Sequence, residues 1–91
     1  MRTIWKYSMT RFLSGFASQK FEIPKSYKFL SFQLQGETPT FWLEVESKEE
    51  RIEKTFAIIG TGHLVPFYYK KYLGTCQTPP FVWHLYELEN D

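Results

Sequence analysis

The sequence predicts an all-β, mainly antiparallel domain, a small sandwich or barrel of about seven short strands with at most one short helix. Three observations predict it. Eighteen residues are aromatic and only two are alanine, a balance that suits pleated strands better than helices. Apolar and polar residues alternate along most of the chain, the spacing that turns one face of a strand toward a core. Glycine and proline interrupt those runs at hairpin intervals.

In order, Thr3 to Ser8 opens the chain as a strand, with Trp5 and Tyr7 on one face and Ile4 and Lys6 on the other. Met9 to Ser18 breaks the alternation and reads as a loop or one helical turn, with Phe12, Leu13 and Phe16 exposed on a lid or contact arm. Lys20 to Ile23 is a short strand. Leu30, Phe32 and Leu34 then alternate with Ser31, Gln33 and Gln35, and Phe41, Leu43 and Val45 alternate with Trp42, Glu44 and Glu46. A turn carrying Gly36 and Pro39 makes these two runs a hairpin with one buried face. Ser47 to Glu50 reads as a soluble hairpin tip leading into a strand over Ile52 to Ile59, which Gly60-Thr61-Gly62 ends. Val65 to Lys71 is expected to form a short helix begun by Pro66. Strands over Tyr72 to Gln77 and Val82 to Leu88, joined through Pro79-Pro80, complete the set.

Residues 1–91 make one domain, and a chain this short buries little more than ~60% of the surface it exposes unfolded. Self-association would add burial, so a homo-oligomer is expected, a dimer first. A formal charge of +1 lacks the electrostatic footprint of a protein that wraps a long nucleic acid, while a small anionic ligand remains compatible. Cys76 is the sole cysteine, which excludes an intrachain disulfide and a cysteine-based zinc cage and suits a reduced, cytoplasmic compartment. No apolar run has signal-peptide or membrane-spanning length, so no membrane association is expected.

Enzyme chemistry finds little footing. The two histidines lack metalloprotease spacing, and there is no nucleophile elbow, Walker loop or dinucleotide fingerprint, so no catalytic residue, metal or cofactor is assigned. Glu44 and Glu46 share a strand face, as a catalytic pair or, more commonly, as a solvated sheet surface.

Ligand-binding candidates are easier to name. Gly60-Thr61-Gly62-His63 ends a strand, where glycines can expose successive N–H groups and Thr61 and His63 add polar side chains, a combination suited to phosphate or ribose. The same residues also describe an ordinary strand-ending turn. Gly74-Thr75 repeats the Gly-Thr step, as a second contact or as a bulge, and the two steps could converge on one site. His84 falls on the face opposite Trp83, as a structural hydrogen-bonding group or a base-edge contact beside Tyr86. Trp5, Tyr7 and Trp83 are candidates for stacking on a base, with core packing the alternative. Arg2, Lys6, Arg11, Lys70 and Lys71 are the cations nearest these elements.

The succession Ile4-Trp5-Lys6-Tyr7, Gly60-Thr61-Gly62-His63, Tyr72-Leu73-Gly74-Thr75 and Val82-Trp83-His84-Leu85-Tyr86 resembles a family of small tailed-phage proteins of unknown function, over nearly the whole chain. Within that group the chain is similar to T-even-type phage proteins that block cyclic-oligonucleotide (anti-CBASS) antiphage signalling by sequestering the messenger. The resemblance implies a phage counter-defence protein of the host cytoplasm that binds a 3',3'-cGAMP-like cyclic dinucleotide without cleaving it. Thr10 to Ser18 departs from the shorter members, so the resemblance implies no role for Phe12 or Phe16. The alternative is a phage protein that binds and inhibits a host protein through an aromatic surface patch.

Overall fold

The computed structural model describes residues 1–9 and 16–89 as a two-sheet antiparallel β-sandwich without a helix among the described residues. Seven strands build it: β1 (Arg2–Ser8), β2 (Phe16–Pro24), β3 (Tyr27–Gln35), β4 (Thr38–Glu46), β5 (Arg51–Gly60), β6 (Tyr69–Thr78) and β7 (Phe81–Leu88). One sheet has the order β1-β4-β3 and the other β2-β5-β7-β6. No helix among the described residues is long and apolar enough to cross a membrane. Arg11, Phe12 and Leu13 of the expected lid lie outside the described residues. Phe16 to Ser18, expected in the same loop, instead begin β2 and pair with Ile59, Ala57 and their neighbour Ile58 on β5.

Alternation sets the inner face of each sheet. Phe41, Leu43 and Val45 of β4 are wholly buried, and they meet Phe56 and Ile58 of β5 and Leu85 of β7 in one core cluster. Aromatic rings fill much of that space. Tyr7 stacks on Phe41 at 5.4 Å between ring centroids, and Phe21 meets both edge-on. The β3–β4 hairpin forms as expected around Gly36, whose φ of 62° is the left-handed conformation that glycine adopts without steric cost. On β3 the expected parity fails midway. A register shift between Phe29 and Ser31 leaves Leu30 as the bulged residue, exposed to 39%, and turns Phe29 inward with Phe32 and Leu34.

The charged turn after β4 is a passage between sheets and no hairpin tip, because β4 pairs with β1 and β3 whereas β5 pairs with β2 and β7. Its charges organise it. The Arg51 guanidinium donates to the carbonyls of Ser47 and Glu49 and lies 4.8 Å over the Trp5 ring, and the Glu49 carboxylate accepts the Ser26 N–H at 2.7 Å.

The expected helix at Val65 to Lys71 does not form, for a reason of reach. β5 and β6 both pair antiparallel with β7 and so run the same way. Residues 61–68 must therefore return from the Trp83 end of β7 to its Leu88 end, about 16 Å at strand rise. Eight helical residues advance only about 12 Å, so no helix forms; the connection turns at Gly60–His63 and again at Pro66, whose carbonyl accepts the Tyr69 N–H.

Cys76, 7% exposed, is enclosed between the sheets, and burial pushes its thiol up to about 11. The folded protein is expected to react with a thiol reagent at about pH 8 at least tenfold more slowly than the denatured chain, because the thiolate is both scarce and shielded. Equal rates in native buffer and denaturant would show that the sandwich does not close over Cys76.

Candidate functional site

The two Gly-Thr steps meet at His84. Its Nε2 lies 2.8 Å from Thr61 Oγ1 at the end of β5, and its Nδ1 lies 2.9 Å from Thr75 Oγ1 on β6, which in turn lies 2.5 Å from Tyr72 Oη. The register explains the convergence. Thr75 stands directly opposite His84, and a shift between Tyr72 and Gly74 makes Leu73 the bulged residue, so that Tyr72 and Thr75 share the outer face although three positions apart. Gly74 turns the other way. A Cβ placed on it would lie 3.6 Å from Phe32 Cβ and 3.7 Å from Phe29 Cζ, so it faces β3 and takes no part in the outer network. Hydroxyls both donate and accept, so a neutral imidazole completes the Thr61–His84–Thr75–Tyr72 chain in either tautomer.

Beside this chain, at the same end of the sandwich, Gly60, Thr61, His63, Pro80, Phe81, Val82 and Trp83 line a groove of about 600 Å³. Its size falls within the ~300–1,000 Å³ of small-molecule sites. Two rings supply the wall: Phe81, 59% exposed, and Trp83, 8% exposed, have centroids 5.9 Å apart and planes 32° from parallel. The Trp83 indole N–H donates to Thr78 Oγ1 at 3.3 Å, which fixes the ring from behind.

The turn beneath the groove is built differently from a phosphate cradle. The Thr61 N–H donates to the Val82 carbonyl, and the His63 N–H donates to the Gly60 carbonyl across a four-residue turn. Gly62, with φ of 93°, takes the third position, where such turns demand glycine. Two of the N–H groups expected to receive phosphate are thus engaged within the fold, and what this turn offers a ligand is the exposed side chains of Thr61 and His63.

Other expected site residues lie elsewhere. Trp5 and Tyr7 face inward from β1 and pack against the core, Tyr7 with one face covered by Phe41 and Trp5 with one face covered by Arg51. Arg2 and Lys6 share the exposed face of β1 on the opposite sheet, where Arg2 Nε donates to Glu44 at 2.7 Å and Lys6 Nζ to Gln35 at 2.8 Å. The Arg2 pair raises the guanidinium pKa and lowers that of Glu44, chiefly through this hydrogen bond. Glu44 is accordingly an ion-paired surface group. No set of three or more metal-ligating side chains gathers among the described residues. Sequence reasoning missed Phe81 and Tyr72 as site residues. The signal for Phe81 was its place after Pro79-Pro80, where a turn delivers the next residue to the open end of the sandwich.

Over residues 1–91 the chain matches, and belongs to, the family described as a domain of unknown function (DUF7352). No curated protein and no solved structure matches it.

Proposed function

We propose that this protein is a phage counter-defence protein of the host cytoplasm that holds a 3',3'-cGAMP-like cyclic dinucleotide without cleaving it. The observation that carries the reading is the ring-walled groove of Phe81 and Trp83 beside the exposed polar side chains of Thr61 and His63. A base needs a flat apolar wall, and ribose or phosphate needs donors next to it. The resemblance to T-even-type phage proteins that sequester such a messenger agrees with this class of ligand. Two copies about a two-fold axis would offer one such groove to each base of a ligand with matching symmetry, which favours a dimer. Sequestration asks for affinity and no reacting group.

Titration calorimetry with 3',3'-cGAMP tests the reading. Binding is expected, with the ligand recovered intact after heat denaturation, and Phe81→Ala should lower affinity by roughly ten- to a hundredfold, the ~1–3 kcal/mol of one stacked base. Absence of binding heat, or a cleaved product on chromatography, would defeat it.

One observation favours a second reading, inhibition of a host protein. In the crossing segment Leu64 is 92% and Phe67 95% exposed, far more than a buried-core function explains, and Tyr68 beside them is 45% exposed. If the patch serves a protein partner, Phe67→Ser abolishes counter-defence in infected cells while cyclic dinucleotide binding is unchanged. If sequestration is the function, Phe67→Ser leaves counter-defence intact.

A further inference from the structure

Each sheet of the sandwich has two edge strands, and three of the four are shaped against further pairing. β3 carries a bulge at Leu30, and β6 carries two, at Lys70 and Leu73. β1 presents Arg2 and Lys6 on its exposed face and no carboxylate to meet them in a second copy. β2 differs. It runs nine residues against β5 in one unbroken register, with a charge of each sign, Lys20 and Glu22, exposed on its outer face.

The ladder fixes which backbone groups of β2 point to its free edge. The Lys25 N–H donates to the Glu50 carbonyl at 3.0 Å, one pair beyond the strand, and bonded and unbonded pairs alternate along antiparallel neighbours. Gln19, Phe21 and Ile23 are therefore bonded to β5, whereas Ser18, Lys20 and Glu22 turn their N–H and carbonyl groups away from it. Pro24, which has no N–H to bond, falls in the outward set, as it must.

Charge on the outer face of β2 is unevenly matched. Glu22 stands directly opposite Glu53 across the ladder, and like charges so placed repel. Lys20 Nζ lies 3.7 Å from Glu53, and Glu22 has no ion pair among the described residues.

We infer that β2 is a dimerisation edge, which pairs antiparallel with β2 of a second copy about a two-fold axis through Phe21. In that register Lys20 faces the partner's Glu22 and Glu22 the partner's Lys20. The outward groups of both then make four backbone hydrogen bonds, and each Glu22 gains the cation it lacks. Other registers that bring the outward groups together set Lys20 on Lys20, Glu22 on Glu22, or neither charge on an opposite one. At the axis Phe21 meets its own copy, adding cover to a ring that is only partly buried beside Tyr7 and Phe41. Two four-stranded sheets become one of eight strands. Phe16 pairs with Ile59 and Gly60 with Trp83, so each Phe81–Trp83 groove lies at the Phe16 end of β2, and the axis sends the two grooves to opposite ends of the joined sheet. This interface is therefore distinct from any pairing of grooves around one ligand, and it forms without nucleotide.

Native mass spectrometry and sedimentation across a concentration series, with no nucleotide present, test the interface. A dimer is expected. Lys20→Glu sets glutamate against the partner's Glu22 twice in each dimer, and Glu22→Lys sets lysine against lysine twice, so each variant should dimerise about tenfold or more weakly than the parent. An equal mixture of the two variants restores both opposite-charge pairs and should form the mixed dimer about as tightly as the parent pairs with itself. Both positions are exposed, and slow Cys76 labelling certifies that each variant is folded. Amide exchange locates the contact: the Lys20 and Glu22 N–H groups should exchange at least about tenfold more slowly in the dimer than in the dilute monomer. A parent that stays monomeric, a dimer that appears only with 3',3'-cGAMP, or a mixture with no preference for the mixed dimer overturns the inference. So does a dimer whose Lys20 and Glu22 amides exchange as they do in the monomer. None of these outcomes decides the groove reading, which calorimetry with 3',3'-cGAMP tests separately.

Discussion

Phe41→Ala is expected to cost roughly 3–5 kcal/mol and to lower the thermal midpoint by about 4–8 °C for each kcal/mol in a domain of this size. The ring is wholly buried, lies 4.6 Å from Phe56 between centroids, and is flanked by Tyr7 and Phe21, so truncation removes the shared centre of the aromatic cluster. Neighbouring strands are tied by ladder hydrogen bonds and cannot collapse far into the space. Near-ultraviolet circular dichroism through a thermal melt reads the loss. A change under about 1 kcal/mol would mean that the cluster does not anchor the core. Tyr7→Phe provides the contrasting case in the same cluster. The Tyr7 hydroxyl is buried without a hydrogen bond among the described residues, and burial raises its pKa above the usual tyrosine value. Removing it strands no partner, so stability should hold or rise by up to about 1 kcal/mol.

Which parts of this fold were legible follows from the range of the forces that set them. Alternation is local, and it correctly turned Phe41, Leu43 and Val45 inward and placed Trp5 and Tyr7 on one face. A bulge is the local rule broken by one residue. Leu30 was expected in the core and lies outside it because the shift after Phe29 reverses parity, and nothing in the composition of Lys28 to Gln35 marks that position. Sheet membership is longer-ranged still: Ser47 to Glu50 looks like any hairpin tip, and only the partners of β4 and β5 reveal it as a passage between sheets. Helix propensity at Val65 to Lys71 lost to the span that the chain had to cover. For the site, the repeated Gly-Thr step was a usable signal, and Thr61 and Thr75 do meet on His84. The engagement of the Thr61 and His63 N–H groups was not legible, because their acceptors are carbonyls, which every residue carries.

Trp83→Ala should be the most damaging substitution at the groove, because Trp83 belongs to the core and to the groove wall together. Loss of a ring only 8% exposed, with its indole N–H tied to Thr78, is expected to cost about 3–5 kcal/mol. Phe81→Ala should differ in kind. Its ring is 59% exposed, so truncation leaves the midpoint within about 0.5 kcal/mol of the parent while removing one wall of the groove. Melts of each variant with and without saturating 3',3'-cGAMP separate stability from binding, since a ligand that binds only the folded state raises the midpoint by an amount its affinity sets. Phe81→Ala is expected to keep its midpoint and lose most of the ligand-induced rise. Trp83→Ala should lose both, as both rings form one wall. A Trp83→Ala protein with a lowered midpoint and an undiminished rise would confine that ring to the core. If Phe81→Ala also kept its full rise, no base would stack in this groove, and the sequestration reading would lose the observation that carries it.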